Sequence, residues 1–150
     1  MNVVIREEPA RLLVGMQYVG KAEIGEIPAL WDEFVPRLAE IPGGGRVFGV
    51  SSGLGEIAPG VFSYLAGREL HNLDQIPDGM TSWEFEVGLY GVVQCPSLDE
   101  IRPTIGTFYG EWLPASPYKA RGHTMEYYPP SFPASPEIEL WFAILDSKFE

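Results

Sequence analysis

Apolar and polar positions follow two different periods along this chain, and the changes of period predict its elements. Leu12 to Tyr18 is an apolar strand after a polar start. Gly25-Glu26-Ile27-Pro28 then places a proline where the first turn of a helix tolerates it. Leu30, Trp31, Phe34, Leu38 and Ile41 recur at helical spacing, with Asp32, Glu33 and Arg37 left to face water. Pro36 falls inside that stripe, where its ring and missing N–H predict a kink or an early end. Pro42-Gly43-Gly44-Gly45 stops the pattern, and Arg46–Val50 and Val61–Gly67 read as a hairpin of two strands.

The stretch Asp74 to Gly79, containing Pro77-Asp78-Gly79, reads as a linker between halves. Beyond it, Trp83, Phe85 and Val87 alternate with Glu84 and Glu86. This predicts one strand that continues past a bulge at Gly88 through Tyr90, Val92 and Val93. Ser97-Leu98-Asp99-Glu100 has the form of a capping box, in which Ser97 and Glu100 satisfy exposed backbone donors reciprocally. The helix it opens carries Ile101, Ile105, Phe108 and Trp112 as one apolar stripe and ends at Pro114. A strand around Glu126, a proline-rich loop from 129 to 136 and a last strand from Glu137 to Phe142 complete the chain.

In this order the elements repeat as strand, helix, strand, strand. The expectation is a single α+β domain over 1–150 made of two βαββ pseudo-repeats, about 1–75 and 80–150. They would form a twisted antiparallel sheet carrying two helices, with a central ligand pocket in the groove between the repeats.

Composition narrows the classes. With 150 residues, 45% hydrophobic and 21% charged, the chain can bury a core and is not a disordered type. Ten Lys and Arg against 21 Asp and Glu give a net charge of -11, the wrong sign for approaching phosphates, so direct nucleic-acid or anionic-membrane binding is disfavoured. No basic-then-apolar leader and no membrane-length apolar run is visible, which reads as a soluble, cytoplasmic protein. Cys95 is the single cysteine, so no disulfide framework or thiolate zinc site forms within one chain. His71 and His123 lie in unrelated segments and give no support to a metal site or a Ser-His-Asp triad; no metal or cofactor is expected. Gly43-Gly44-Gly45 and Gly53-Leu54-Gly55 open no helix and do not form a phosphate cradle.

The candidate chemistry lies near the C-terminus. Met125-Glu126-Tyr127-Tyr128 and Glu137-Ile138-Glu139-Leu140-Trp141-Phe142 each set a carboxylate and a ring two residues apart. Residues i and i+2 of a strand share a face, so Glu126 with Tyr128 and Glu139 with Trp141 are expected to line one concave surface. Such a surface suits a flat cation, each well-placed ring adding roughly 0.5 to 2 kcal/mol to the Coulomb attraction. The same spacing also suits a solvated strand face. Tyr18, Phe48, Tyr64, Trp83, Tyr90 and Tyr118 are further candidate pocket rings, with ordinary core or lid packing as the alternative. Trp31 and Trp112 are expected to pack the helices on the sheet.

Four phrases carry a family resemblance: Ile27-Pro28-Ala29-Leu30-Trp31-Asp32-Glu33-Phe34, Phe62-Ser63-Tyr64-Leu65-Ala66-Gly67, Trp112-Leu113-Pro114-Ala115-Ser116-Pro117-Tyr118 and Met125-Glu126-Tyr127-Tyr128. In this order, over nearly the whole chain, the sequence resembles the GyrI-like small-molecule-binding domain, also called the AraC effector-binding domain, of the tandem SHS2 superfamily. The resemblance implies a tandem βαββ fold whose central aromatic pocket binds lipophilic cations in multidrug-sensing regulators. The pocket glutamate of those proteins matches Glu126, with Tyr128 beside it, and the second acid and ring of the last strand match Glu139 and Trp141. All 150 residues fall to the sensing domain, so no helix-turn-helix is expected among them.

The leading expectation is therefore a stand-alone binder of hydrophobic, cationic or planar small molecules, for drug sensing or sequestration. Two alternatives stand beside it. Some stand-alone family members are hydrolases that open cyclopropanoid genotoxins, for which Glu126 would be the catalytic acid or base and Tyr128, or an inward-pointing Tyr90, an oxyanion donor. Others are gyrase-inhibitory, a protein-interaction role that an acidic surface also fits. The 129–136 loop is a lid or a partner contact on this reading.

Overall fold

The computed structural model describes residues 1–72 and 75–147. The strands are β1 (Val4–Glu8), β2 (Arg11–Gly20), β3 (Val47–Ser52), β4 (Phe62–Glu69), β5 (Thr81–Phe85), β6 (Gly88–Cys95), β7 (Tyr118–Tyr128) and β8 (Ile138–Asp146). Helices α1 (Glu26–Phe34) and α2 (Ile101–Thr107) follow β2 and β6. Every strand pairing within the two compact units described below is antiparallel, and the class is α+β.

The chain divides into two compact units, Ala10–Glu86 and Met1–Pro9 together with Val87–Glu150. In the first, β2 pairs with β4 and β5, and β4 pairs with β3, giving the order β3-β4-β2-β5. Phe34 and Ile41 from the helical segment bury against Val14, Tyr64 and Ala66 on one sheet face, joined by Leu30, Trp31 and Leu38. Pro36 acts as its chemistry dictates: α1 ends at Phe34, and a tighter 3-10 helix runs from Val35 to Glu40.

In the second unit the order is β1-β6-β8-β7. Each unit thus holds strand, helix, strand, strand plus one extra edge strand, β5 in the first and β1 in the second. The edge strand β1 comes from the polar start that the apolar pattern passed over. Val4-Ile5-Arg6-Glu7-Glu8 pairs with Val92 to Gly88.

Two expectations need correction. The strand expected to run from Trp83 through Val93 is two strands in different units, since β5 pairs with β2 whereas β6 pairs with β1 and β8. Gly88 begins β6 where a Cβ would lie 2.6 Å from the Arg121 guanidinium, a close approach and not a bulge. The capping box does not form either. Ser97 makes no side-chain cap; its carbonyl accepts the Glu100 N–H at 3.1 Å, so a 3-10 turn over Leu98–Glu100 takes up that donor before α2 starts at Ile101. The expected linker begins at Asp74, outside the described residues, and Gln75 to Gly79 carries neither helix nor strand.

The stripe on α2 holds. Ile101, Ile105, Phe108 and Trp112 all pack with Val93, Cys95, Ile138, Leu140, Phe142 and Ile144. Its last part is a π-turn, Phe108–Trp112, closed by a Leu113 N–H to Phe108 carbonyl bond of 2.8 Å. Phe108 lies almost flat on Phe142 with centroids 3.8 Å apart.

Candidate functional site

Strand register decides which candidate residues meet. In the second unit Glu126 lies opposite Leu140 and Thr124 opposite Phe142, both of which belong to the cluster under α2. Thr124, Glu126 and Tyr128 therefore point to the helix-covered face. Met125 lies opposite Trp141 and Tyr127 opposite Glu139, so Glu139 and Trp141 occupy the other face with Val92, Gln94 and Tyr90. The single surface expected from the two carboxylate–aromatic pairs is thus overturned. Each pair shares a face internally, as i and i+2 must, but the hairpin register sets the pairs out of phase.

On the helix-covered face, the Tyr128 hydroxyl donates to Glu126 Oε1 at 2.7 Å, and its ring meets Phe132 edge-on at 5.1 Å. Two residues back along β7, Thr124 Oγ1 and Tyr109 Oη share a 2.8 Å hydrogen bond. Tyr109 stands edge-on to both Phe108 and Phe142. Burial holds its phenol above the ordinary tyrosine range, partly offset by Thr124. Rings continue the wall: Phe142, Phe108, Trp112 and Tyr118 stack in succession. Cys95 lies under the same face. Burial raises its thiol pKa, and the charges of Glu100 and Glu126 push in the same direction. A half-buried carboxylate held by a tyrosine hydroxyl is chemically equipped to attract a cation.

The opposite face of that unit is already neutralised. Trp141, fully buried, donates its indole N–H to Glu139 at 2.9 Å, and Gln94 donates to the other carboxylate oxygen at 3.0 Å. Arg6 of β1 lies 4.8 Å from the Trp141 ring centroid, 2.9 Å from Glu8 and 3.6 Å from Glu139. These donors and Arg6 hold Glu139 below the usual carboxylate pKa, although burial opposes them. Tyr90 meets Trp141 edge-on, shares a 2.7 Å hydrogen bond with His123 Nε2 and lies under the Arg121 guanidinium at 4.9 Å. Burial, with Arg121 nearby, lowers His123 to a pKa of about 4. The strand bulges between Ala120 and Thr124, and Gly122 accepts the φ of 112° that this requires.

In the first unit, Tyr18 and Tyr64 are a cross-strand pair on the helix-covered face. Trp31 Nε1 donates to Tyr64 Oη at 2.9 Å, and Tyr18 donates to Glu26 at 2.8 Å. Phe48 and Trp83 point the other way, since Phe48 faces Gly67 and Trp83 faces Leu13. Phe48 is fully buried beneath the Arg11 and Arg46 guanidiniums, both paired with Glu69. Trp83 donates to Gln17 at 3.1 Å. A separate open cleft of about 480 Å³, lined by Glu40, Pro42, Leu70, Asn72, Gln75 and Pro77, contains none of the candidate residues.

Tyr109 and Thr124 were not singled out by the sequence. Tyr109 sits one position off the apolar stripe, and only the π-turn brings it to the sheet. Arg6 was missed together with β1, although Val4-Ile5-Arg6-Glu7-Glu8 alone lacks the apolar alternation that marks a half-buried strand. Among the described residues, no group of three or more His, Cys, Asp or Glu converges as metal ligands do, and no helix is long and apolar enough to cross a membrane.

Residues 4–144 match the model of a family described as integron-associated effector binding protein. The transcriptional regulator BrlR of Pseudomonas aeruginosa is 31% identical over 151 residues, covering 96% of this chain and 56% of BrlR. The chain thus spans about half the length of that curated relative. An integron cassette protein from the mobile metagenome of Vibrio cholerae shares the fold with a TM-score of 0.68 at 16% identity, covering 95% of both chains. SAV2435, in a structure bound to tetraphenylphosphonium, has a TM-score of 0.78 at 12% identity, covering 100% of this chain and 98% of that one. At these identities the structural likeness speaks for the fold.

Proposed function

The chain belongs to the integron-associated effector-binding protein family, and we propose that its effectors are hydrophobic, planar or cationic small molecules held on the helix-covered face of the second unit by Glu126. The observation that carries this reading is the Tyr128–Glu126 pair, 2.7 Å apart, on the same sheet face as the stacked rings under α2. A carboxylate in a poorly hydrated place gains most from an incoming cation, because the cation replaces lost hydration as well as adding attraction. The rings add dispersion and cation–π attraction for a ligand of matching shape. Binding of a lipophilic phosphonium by a relative of the same fold supports the choice of ligand class.

The same two residues would serve a hydrolase that protonates or deprotonates a ring-opening substrate. The binding reading is preferred because the Tyr128 hydroxyl donates to Glu126 and so does not point to a separate oxyanion position. The test is titration with tetraphenylphosphonium and with neutral triphenylphosphine oxide, following tryptophan fluorescence and ligand mass together. Saturable quenching that favours the cation and leaves both masses unchanged is the expected result. Equal affinity for the two compounds, or a water-added product from a cyclopropane electrophile run alongside, would refute it.

A further inference from the structure

Single aliphatic side chains left in water need no explanation, but one end of the first unit, where β2 and β3 finish and β4 begins, carries three on two loops. Ile24, between β2 and α1, is fully exposed, and Leu54 and Ile57, between β3 and β4, are 73% and 70% exposed. Neither loop is slack. The Tyr18 hydroxyl accepts the Ala22 N–H at 2.9 Å and donates to Glu26, whose carboxylate also accepts the Glu23 N–H at 2.8 Å. These bonds hold Ala22 at a φ of 54°, a left-handed conformation that a residue with a Cβ seldom adopts. In the other loop the Gly55 N–H bonds to the Val61 carbonyl at 2.9 Å and the Glu56 N–H to the Gly53 carbonyl at 3.1 Å. The loops are neighbours, since a Cβ on Gly60 would lie 4.0 Å from the Lys21 side chain.

The same two loops carry Lys21 and Glu56, both exposed and neither in an ion pair among the described residues. A lipid surface would strip water from both charges without pairing them, and a strongly basic partner would set a like charge against Lys21. Turned about a two-fold axis, the surface complements itself: apolar tips meet apolar tips, and each Lys21 meets the Glu56 of the other copy. We infer that these loops are the contact surface of a two-fold dimer of this chain, with Ile24, Leu54 and Ile57 as its apolar centre and Lys21–Glu56 pairs at its rim. The net charge of -11 on each copy opposes the association and keeps it reversible. Two loops make a small interface, for which a Kd on the order of 10 to 100 μM is expected. This inference does not rest on the function proposed for Glu126, which belongs to the other unit.

The experiment is sedimentation equilibrium of the full chain over about 5 to 500 μM, a range that brackets the expected Kd. Wild type should pass from the monomer mass towards twice that mass, and Ile24→Ser/Leu54→Ser should remain monomeric. Both substituted side chains are exposed, so circular dichroism should be unchanged. Lys21→Glu and Glu56→Lys, each alone, set like charges face to face and should weaken association about tenfold or more. Mixing these two single variants should restore it, because a mixed dimer has an opposite-charge pair at both ends of the contact. A chain that stays monomeric throughout the range overturns the inference, as does a dimer that all the variants leave intact, or charge variants that fail to associate when mixed. Binding to neutral phosphatidylcholine vesicles without self-association would give the surface to a lipid partner and overturn it as well.

Discussion

Tyr128 donates its hydroxyl proton to Glu126 across 2.7 Å, from two positions further along the same strand. That bond orients the carboxylate on the helix-covered face of β7 and keeps the phenol at its side. Had the hairpin paired one residue out of step, Glu126 would share a face with Glu139. The register therefore places the two carboxylates on opposite faces of the sheet, Glu126 beside Tyr128 and Glu139 beside Trp141 and Arg6.

Tyr128→Phe keeps the ring and removes the donor. Affinity for a lipophilic cation is expected to change less than about threefold, since one hydrogen bond to a charged carboxylate is exchanged for stronger pairing of that carboxylate with the ligand. Fluorescence titration of the variant checks this. A loss of a hundredfold would mean that the phenol itself holds the ligand.

Ser97→Ala tests the start of α2. Because Ser97 forms no side-chain cap, the substitution should cost no more than a few tenths of a kcal/mol, against about 1 kcal/mol for a working N-cap. Urea unfolding measures the difference, and a full 1 kcal/mol loss would restore the capping box.

His123 should make stability depend on pH. Its folded pKa, about 4, lies below the value of about 6.5 expected when unfolded, so the unfolded chain takes up a proton first as pH falls. The stability it contributes is complete above pH ~6.5 and is lost between there and pH ~4, on the order of 3 kcal/mol in all. His123→Gln is expected to flatten that part of the curve. An unchanged slope would place the proton uptake elsewhere.

Much of the fold was legible because local chemistry and packing agreed. The stripes Leu30–Ile41 and Ile101–Trp112 bury as their spacing requires, and Pro36 breaks its helix where a ring and a missing donor must. What escaped depends on partners distant in sequence. The role of β1 comes from pairing with residues about 85 positions away, and the face of each carboxylate is set by a hairpin register that no local pattern encodes. Tyr109 needed a π-turn to reach Thr124. Glu126 and Tyr128 were legible as a pair because i and i+2 share a face in any strand; that Glu139 and Trp141 face away was not.

The most direct measurement is calorimetric titration of tetraphenylphosphonium into wild type, Glu126→Gln and Glu139→Gln, each shown to be folded by circular dichroism. The account predicts that Glu126→Gln weakens binding about tenfold or more, as the loss of a partly desolvated charge pair requires, while Glu139→Gln stays within about twofold. Loss on Glu139→Gln with Glu126→Gln unchanged would place the ligand on the opposite face and contradict the assignment.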